Sequence, residues 1–193
     1  IKYVVLASKT GYTTDIFLDT FEKAGIAEAP KTWDEYYEAA KKVRALGDDY
    51  YISNASGDIF LILSMIWQAG GTPFSTDGAN VKIDFSDENT QNVLAFWQKM
   101  IDEDLITNDI TNWSDDWNRA LNDGTLATQV IGGWMTANLP PRAPDAAGNF
   151  RVAAMPQWNE GENYSAENGG STLAILEASE KKEAAFKFVE YIT

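Results

Sequence analysis

The sequence predicts an α/β fold, a central sheet flanked by helices. Short apolar runs of strand type alternate along the chain with segments of helical periodicity, and short connections join them. The chain is also long enough for a real core. It has 193 residues, 45% of them hydrophobic, and a chain of that size buries roughly 70% of its unfolded surface.

Lys2 to Ala7 (KYVVLA) reads as a buried strand. A helix is predicted from Thr14 to Ala24, ending at Gly25. Thr32-Trp33-Asp34-Glu35 has the capping-box spacing and opens a helix from Trp33 to Leu46, with its apolar positions on one face. Tyr50 to Ser53 is predicted as a short strand. Asp58 precedes a helix from Ile59 to Ala69 that is apolar nearly all round, which predicts central burial. Thr72 to Asn80 reads as a loop and Val81 to Phe85 as a strand. Ser86 is the predicted cap of a helix reaching Glu103, with Val93, Phe96, Trp97, Met100 and Ile101 as its stripe. Ser114 caps a helix from Asp115 to Asn122 that Asp123-Gly124 ends. Leu126 to Ile131 is a strand; Gly132-Gly133-Trp134 turns from it into a helix that stops before Pro140-Pro141. Pro140 to Asn149 is loop and Arg151 to Ala154 strand. Pro156 to Asn168 is a polar loop, Thr172 to Leu176 a strand, and Ser179 caps a final helix from Glu180. That helix reaches Thr193 without a stop signal and the first strand begins abruptly, so the sequence reads as cut at both ends.

Composition narrows the chemistry. The formal charge is −14 and there is no Cys and no His. Nucleic acid is an unexpected partner, because phosphate recognition needs clustered Lys and Arg. Cys nucleophiles, thiolate metal sites, His-based triads and disulfides are excluded outright. The most apolar stretch, Ile59 to Trp67, is too short to span a membrane. Aromatic residues are abundant, with seven Trp, eight Tyr and nine Phe. They form either a large aromatic core or the lining of a ligand groove.

Few constellations suit catalysis. Glycoside hydrolysis needs two carboxylates facing one bond, whereas Asp115 and Asp116 are neighbours that read as a helix first turn, and Asp102 to Asp104 as a solvated helix end. Asp77-Gly78 lacks the alternating ligands and distal Glu of a calcium loop and reads as a turn. Binding is better served. Gly132-Gly133-Trp134 displays an indole at a strand's carboxyl end, where open α/β sheets hold ligands; the alternative is a Trp packing over a tight turn. Asn168-Gly169-Gly170-Ser171 reads as a turn whose N–H groups and amide suit hydroxyls, or as a plain hairpin or hinge. Asp58 is a helix N-cap, or a carboxylate that accepts two hydrogen bonds from vicinal hydroxyls. None of these candidates is an Arg, which favours an uncharged ligand.

The order of several pieces resembles the sugar-binding family of ABC-transporter solute-binding proteins that includes maltose-binding protein. They are FEKAGI (21–26), PKTWDEYYEAAKKV (30–43), WQAGG (67–71), WSDDWNRALNDGTLA (113–127), GGWMTANL (132–139), AAMPQW (153–158) and NGGSTLAI (168–175). The resemblance covers nearly the whole chain. It implies a periplasmic-binding-protein-like lobe, truncated at both ends: residues 9–171 as the carboxyl-terminal lobe, 1–8 and 172–178 as hinge strands, and 179–193 as a helix of the other lobe. By the same resemblance, Trp134 matches an aromatic that stacks on a sugar ring, and Asp58 and Phe60 match acidic and aromatic contacts. Phe60 stands where the maltose binder has Tyr, so stacking survives and the hydroxyl's hydrogen bond does not. Asn168, Gly169 and Gly170 fall where the maltose binder differs and closer relatives carry NGGS. Trp113 and Asp115 lie on a face where some relatives touch oligosaccharide. The implied function is an extracellular substrate-binding component, a periplasmic protein or cell-surface lipoprotein. It would be monomeric, deliver a neutral sugar or oligosaccharide to ABC permease subunits, and need no cofactor or metal. A glycoside hydrolase fragment and a binding protein for another solute are the alternatives.

Overall fold

The computed structural model describes the backbone of residues 3–192 and, outside 3–13, 56, 167–172 and 192, their side chains. Ile1, Lys2 and Thr193, which belong to the predicted hinge strand and last helix, lie outside the described residues.

The first element, β1, runs from Tyr3 to Phe17, far past the predicted strand end. The helix expected from Thr14 shrinks to α1, Leu18–Lys23. Two neighbours claim these residues: Tyr12 to Ile16 pair antiparallel with β6 (Thr128–Gly132), and Thr13 to Phe17 with β7 (Phe150–Ala154). A β-branched and aromatic TTDIF stretch suits a sheet flanked on both sides. The early part of β1 pairs with β8 (Glu167–Ile175), from Tyr3↔Ile175 to Gly11↔Glu167, with register breaks. The Asn168 to Ser171 stretch is therefore strand and not the turn expected from its glycines.

Helix α2 spans Trp33–Arg44. Thr32 Oγ1 accepts from Glu35 N at 3.1 Å, the forward half of the predicted capping box; Glu35 Oε2 reaches back one residue further than expected, to Lys31 N at 2.6 Å. Strand β2 is Ser53–Ser56, three residues later than predicted. Helix α3, Ile59–Gln68, is not buried all round: Leu61, Met65 and Ile66 face inward while Ile59, Phe60 and Trp67 are exposed. The predicted loop at 72–80 contains a strand, because β3 (Phe74–Asp77) and β4 (Asn80–Ile83) form a hairpin closed by the two-residue turn Gly78-Ala79, with Asp77 paired to Asn80 at the end of β3. Helix α4, Glu88–Asp102, takes its cap from Asp87, which accepts from Thr90 N at 2.9 Å, and not from Ser86.

The sequence reading missed β5, Ile106–Thr111, which lies parallel to β2. Helix α5, Asp115–Asp123, starts at its predicted cap, Ser114, and stops at Gly124, φ 72°. Helix α6, Met135–Arg142, continues through Pro140 and Pro141. The two prolines, with Thr136 and Ala137 a turn earlier, are exposed, so water can take the carbonyl bonds the missing N–H groups forgo. Helix α7 is Lys182–Ile192. No helix among the described residues is long and apolar enough to cross a membrane.

Backbone bonds join the two halves of the sheet. Tyr51 N donates to Thr125 O at 2.9 Å, Ala127 N to Tyr51 O at 3.0 Å and Thr128 N to Ile52 O at 2.8 Å, which sets β2 beside β6 in parallel. The ends of β5, β2 and β6 thus point the same way. One core packs α1 to α4 on this sheet around Trp33, Tyr36, Val43, Met65, Val93 and Met100; a second holds Phe17, Trp117, Leu121, Leu126, Ile131 and Met135.

Candidate functional site

Three loops leave the carboxyl ends of the parallel strands on one edge. Asp58 and Phe60 follow β2, Trp113 follows β5, and Trp134 follows β6. Parallel pairing puts such ends together, and open sheets present ligand sites there.

The indoles of Trp113 and Trp134 meet in this position. Their centroids are 5.8 Å apart with planes 21° from parallel, a stacked pair. Trp117, fully buried, lies tilted beneath Trp113 at 5.0 Å. Trp113 itself is 44% exposed and Trp134 is half-buried. The glycine before the turn explains how the second ring fits: a Cβ on Gly132 would sit 2.2 Å from Trp134 Nε1, so only a residue without one leaves room for the indole against its own backbone. Gly132 therefore makes space for Trp134. Trp113 has φ 73°, the left-handed region that a bulky residue occupies at a cost. Ser114 fixes it from the other side: its N–H and its Oγ both donate to Thr111 O, at 3.2 and 2.8 Å, while Oγ caps α5 by accepting from Trp117 N at 3.1 Å.

Asp58 performs the capping role the sequence allowed, accepting from Phe60 N at 3.0 Å and Leu61 N at 3.3 Å. Burial raises its pKa, and these two N–H bonds work against that. It lines a small pocket with Asn54, Asn112 and Gln129, next in sequence to Trp113 and on the strand that leads to Trp134. Phe60, 63% exposed, follows it in the chain, and Ile59 is exposed too. Asp115 stands at the first position of α5, two residues from Trp113, and is exposed. Asn168, Gly169 and Gly170 lie in β8, which runs beside α3 and β6; their side chains fall outside the described residues.

One participant went unforeseen. The Arg142 guanidinium sits over the Trp113 ring, 4.9 Å from its centroid. An Arg thus lies against one of the candidate residues, a contact the sequence reading did not foresee. Two turns of α6 carry Arg142 from Trp134 back to the indole pair, and reading Pro140-Pro141 as a helix stop hid that path. Asn54, Asn112 and Gln129 were also unread, since isolated amides in strand-like segments carry no pattern.

Comparison with known proteins places the chain. The family model described as bacterial extracellular solute-binding protein matches residues 4–193. Among curated relatives, the chain is 29% identical over 178 residues to a lactose-binding protein of Rhizobium radiobacter, covering 90% of this chain and 41% of that one. It is 26% identical over 184 residues to an arabinooligosaccharide-binding protein of Bacillus subtilis (strain 168), covering 93% and 42%. Among solved structures it is similar, with TM-score 0.84 and 46% identity, to the ABC transporter associated binding protein of B. animalis subsp. lactis Bl-04 in complex with β-1,6-galactobiose. That match covers 97% of this chain and 47% of the other. The galacto-N-biose-/lacto-N-biose I-binding protein of Bifidobacterium longum shares the fold at TM-score 0.79. The chain spans less than half the length of these curated relatives. Its match over nearly all its residues, on a fold these binding proteins share, makes it a member of the bacterial extracellular solute-binding protein family.

Proposed function

We propose that this chain is the larger part of one lobe of a binding protein that delivers a sugar or short oligosaccharide to an ABC importer, and that it binds its ligand without cleaving it. The carrying observation is the stacked, partly open Trp113–Trp134 pair at the strand ends, with Asp58 in a small pocket that also holds Asn112, the residue before Trp113. Flat indole faces suit the apolar faces of pyranose rings, and a few convergent polar groups fix hydroxyl orientation. Asp58 accepts hydrogen bonds from hydroxyls, Arg142 donates to ring and hydroxyl oxygens, and Phe60 widens the apolar floor. Asp115, two residues from Trp113, and the Asn168 to Gly170 strand extend the contact surface in this reading.

Residues 9–171 form the carboxyl-terminal lobe in this reading, 1–8 and 172–178 the hinge, and 179–193 a helix of the facing lobe. The β1–β8 pairing supports it, since two strands joined side by side make a stiff double crossing. Ligand contacting both lobes only when they close shifts the population to the closed form, which the permease subunits recognise. The protein works outside the cytoplasmic membrane, in the periplasm or held by a lipid anchor, as a monomer. Relatives that are binding proteins, not enzymes, favour this over a glycosidase.

The first ligand to try is β-1,6-galactobiose, bound by the 46% identical relative. Calorimetric titration of the full-length protein carrying this chain, against β-1,6-galactobiose, lactose, arabinooligosaccharide and a dipeptide, tests the proposal. Saturable binding of a saccharide without new reducing ends is expected. Binding of the dipeptide alone, or cleavage of a saccharide, would contradict it.

A further inference from the structure

One buried amide ties together the three strand ends that carry the site. Asn54, on β2, is buried. Its Nδ2 donates to Ile110 O at 2.9 Å and to Asn112 Oδ1 at 2.6 Å, and its Oδ1 accepts from Gln129 Nε2 at 3.2 Å. These partners lie on β5, on the residue before Trp113, and on β6.

The ladder shows why a side chain is needed there. Asn54 pairs with Thr107, but Ser56 pairs with Thr111, so β5 holds two more residues than β2 across this interval. The Asn54 amide supplies a donor to the Ile110 carbonyl within that irregular stretch. The next residues are tightly set: a Cβ on Gly57 would come within 2.9 Å of the Asn112 backbone nitrogen, so the chains after β2 and β5 approach backbone to backbone. Directly after Asn112 comes Trp113 with its left-handed φ. A bulky residue keeps such a conformation only where its surroundings impose it, and Asn112 is where the imposition enters.

We infer that Asn54 is a positioning residue: through Asn112 it holds Trp113 against Trp134, and so sets the affinity of the indole platform for a glycan. This rests on the reading of that pair as the platform, but its structural half is measured independently.

Neighbouring indoles couple excitonically; Trp113 also lies 5.0 Å from Trp117, so the far-ultraviolet circular dichroism couplet lost on Trp134→Phe defines the signature of the Trp113–Trp134 pair. In the full-length protein, Asn54→Ala is expected to abolish that couplet and weaken β-1,6-galactobiose binding about tenfold or more. Tyr36→Phe serves as the control. It breaks an equally buried bond, Tyr36 to Thr128 at 2.7 Å in the main core, and should leave couplet and affinity as they are. Should Asn54→Ala not fold, Asn112→Ala removes only the 2.6 Å bond from a half-buried site and is read the same way. A retained couplet overturns the inference, and so does a lost couplet with unchanged affinity. If Trp134→Ala binds as well as wild type, the glycan reading fails instead, and the couplet still decides whether Asn54 positions Trp113.

Discussion

Two tryptophan clusters use the same side chain in opposite ways. Around α2, Trp33 is sealed: it is 1% exposed, packs on Tyr36, Phe96 and Trp158 at centroid distances of 5.4, 6.0 and 5.7 Å, and gives its N–H to Gln68 Oε1 at 2.9 Å. Gln68 passes its own amide to Pro156 O at 2.8 Å, so every polar group in the chain of contacts is answered. At the strand ends, Trp113 and Trp134 stack but stay partly open, one of them on a left-handed backbone, and the loop after the neighbouring strand β2 carries a carboxyl whose pKa burial raises. The first arrangement is what a ring does when its work is packing. The second keeps apolar area and strain at a rim, which is how binding surfaces differ from cores.

Paired substitutions can break this contrast. Trp33→Ala should cost ~3–5 kcal/mol of stability, as expected for truncating a large buried ring, measured by denaturant unfolding, with ligand affinity nearly unchanged in the fraction that remains folded. Trp134→Ala should do the reverse: a binding loss of about 2 kcal/mol or more, near thirtyfold, by calorimetry with β-1,6-galactobiose, against a smaller loss of stability. If both substitutions moved stability and affinity together, the division between the clusters would be wrong.

A smaller effect sharpens the contrast from the side of charge. Asp15 is buried in β1, its Oδ2 has no hydrogen-bond partner, and burial lifts its pKa to about 6. The folded state therefore holds this proton more tightly than the unfolded chain, whose value is near 3.8. Stability should fall as pH rises from about 4 to about 6 and level off above, by about 3 kcal/mol from this group. Asp15→Asn should flatten that slope in urea titrations at several pH values and stabilise the protein at pH 7. Persistence of the full slope in the variant would assign it to other groups.

The helices were the most legible part of the sequence, because their signals are local. Thr32 and Ser114 are caps with apolar residues at helical spacing behind them, and Gly124 stops α5 as glycine stops helices. The misses are cases where a partner distant in sequence decides. Ile106 to Thr111 (ITNDIT) is too polar to announce a strand; its backbone pairing with β2 makes it one. Thr13 to Phe17 looks like a helix entry until β6 and β7 flank it. The candidate site was half-legible for the same reason. Trp134 stood out beside its glycines and Asp58 before its helix, but the stacking of Trp113 on Trp134, the reach of Arg142 along α6, and the Asn54 amide arise only when three strand ends converge.

The most direct test is a spectrum of the indole N–H groups in the full-length protein, assigned by single Trp→Phe substitutions and followed as β-1,6-galactobiose is added. The signals of Trp113 and Trp134 should shift with saturation while those of Trp33 and Trp158 stay in place. Shifts confined to Trp33 and Trp158, with the rim pair unmoved by a ligand that calorimetry shows to bind, would contradict the account.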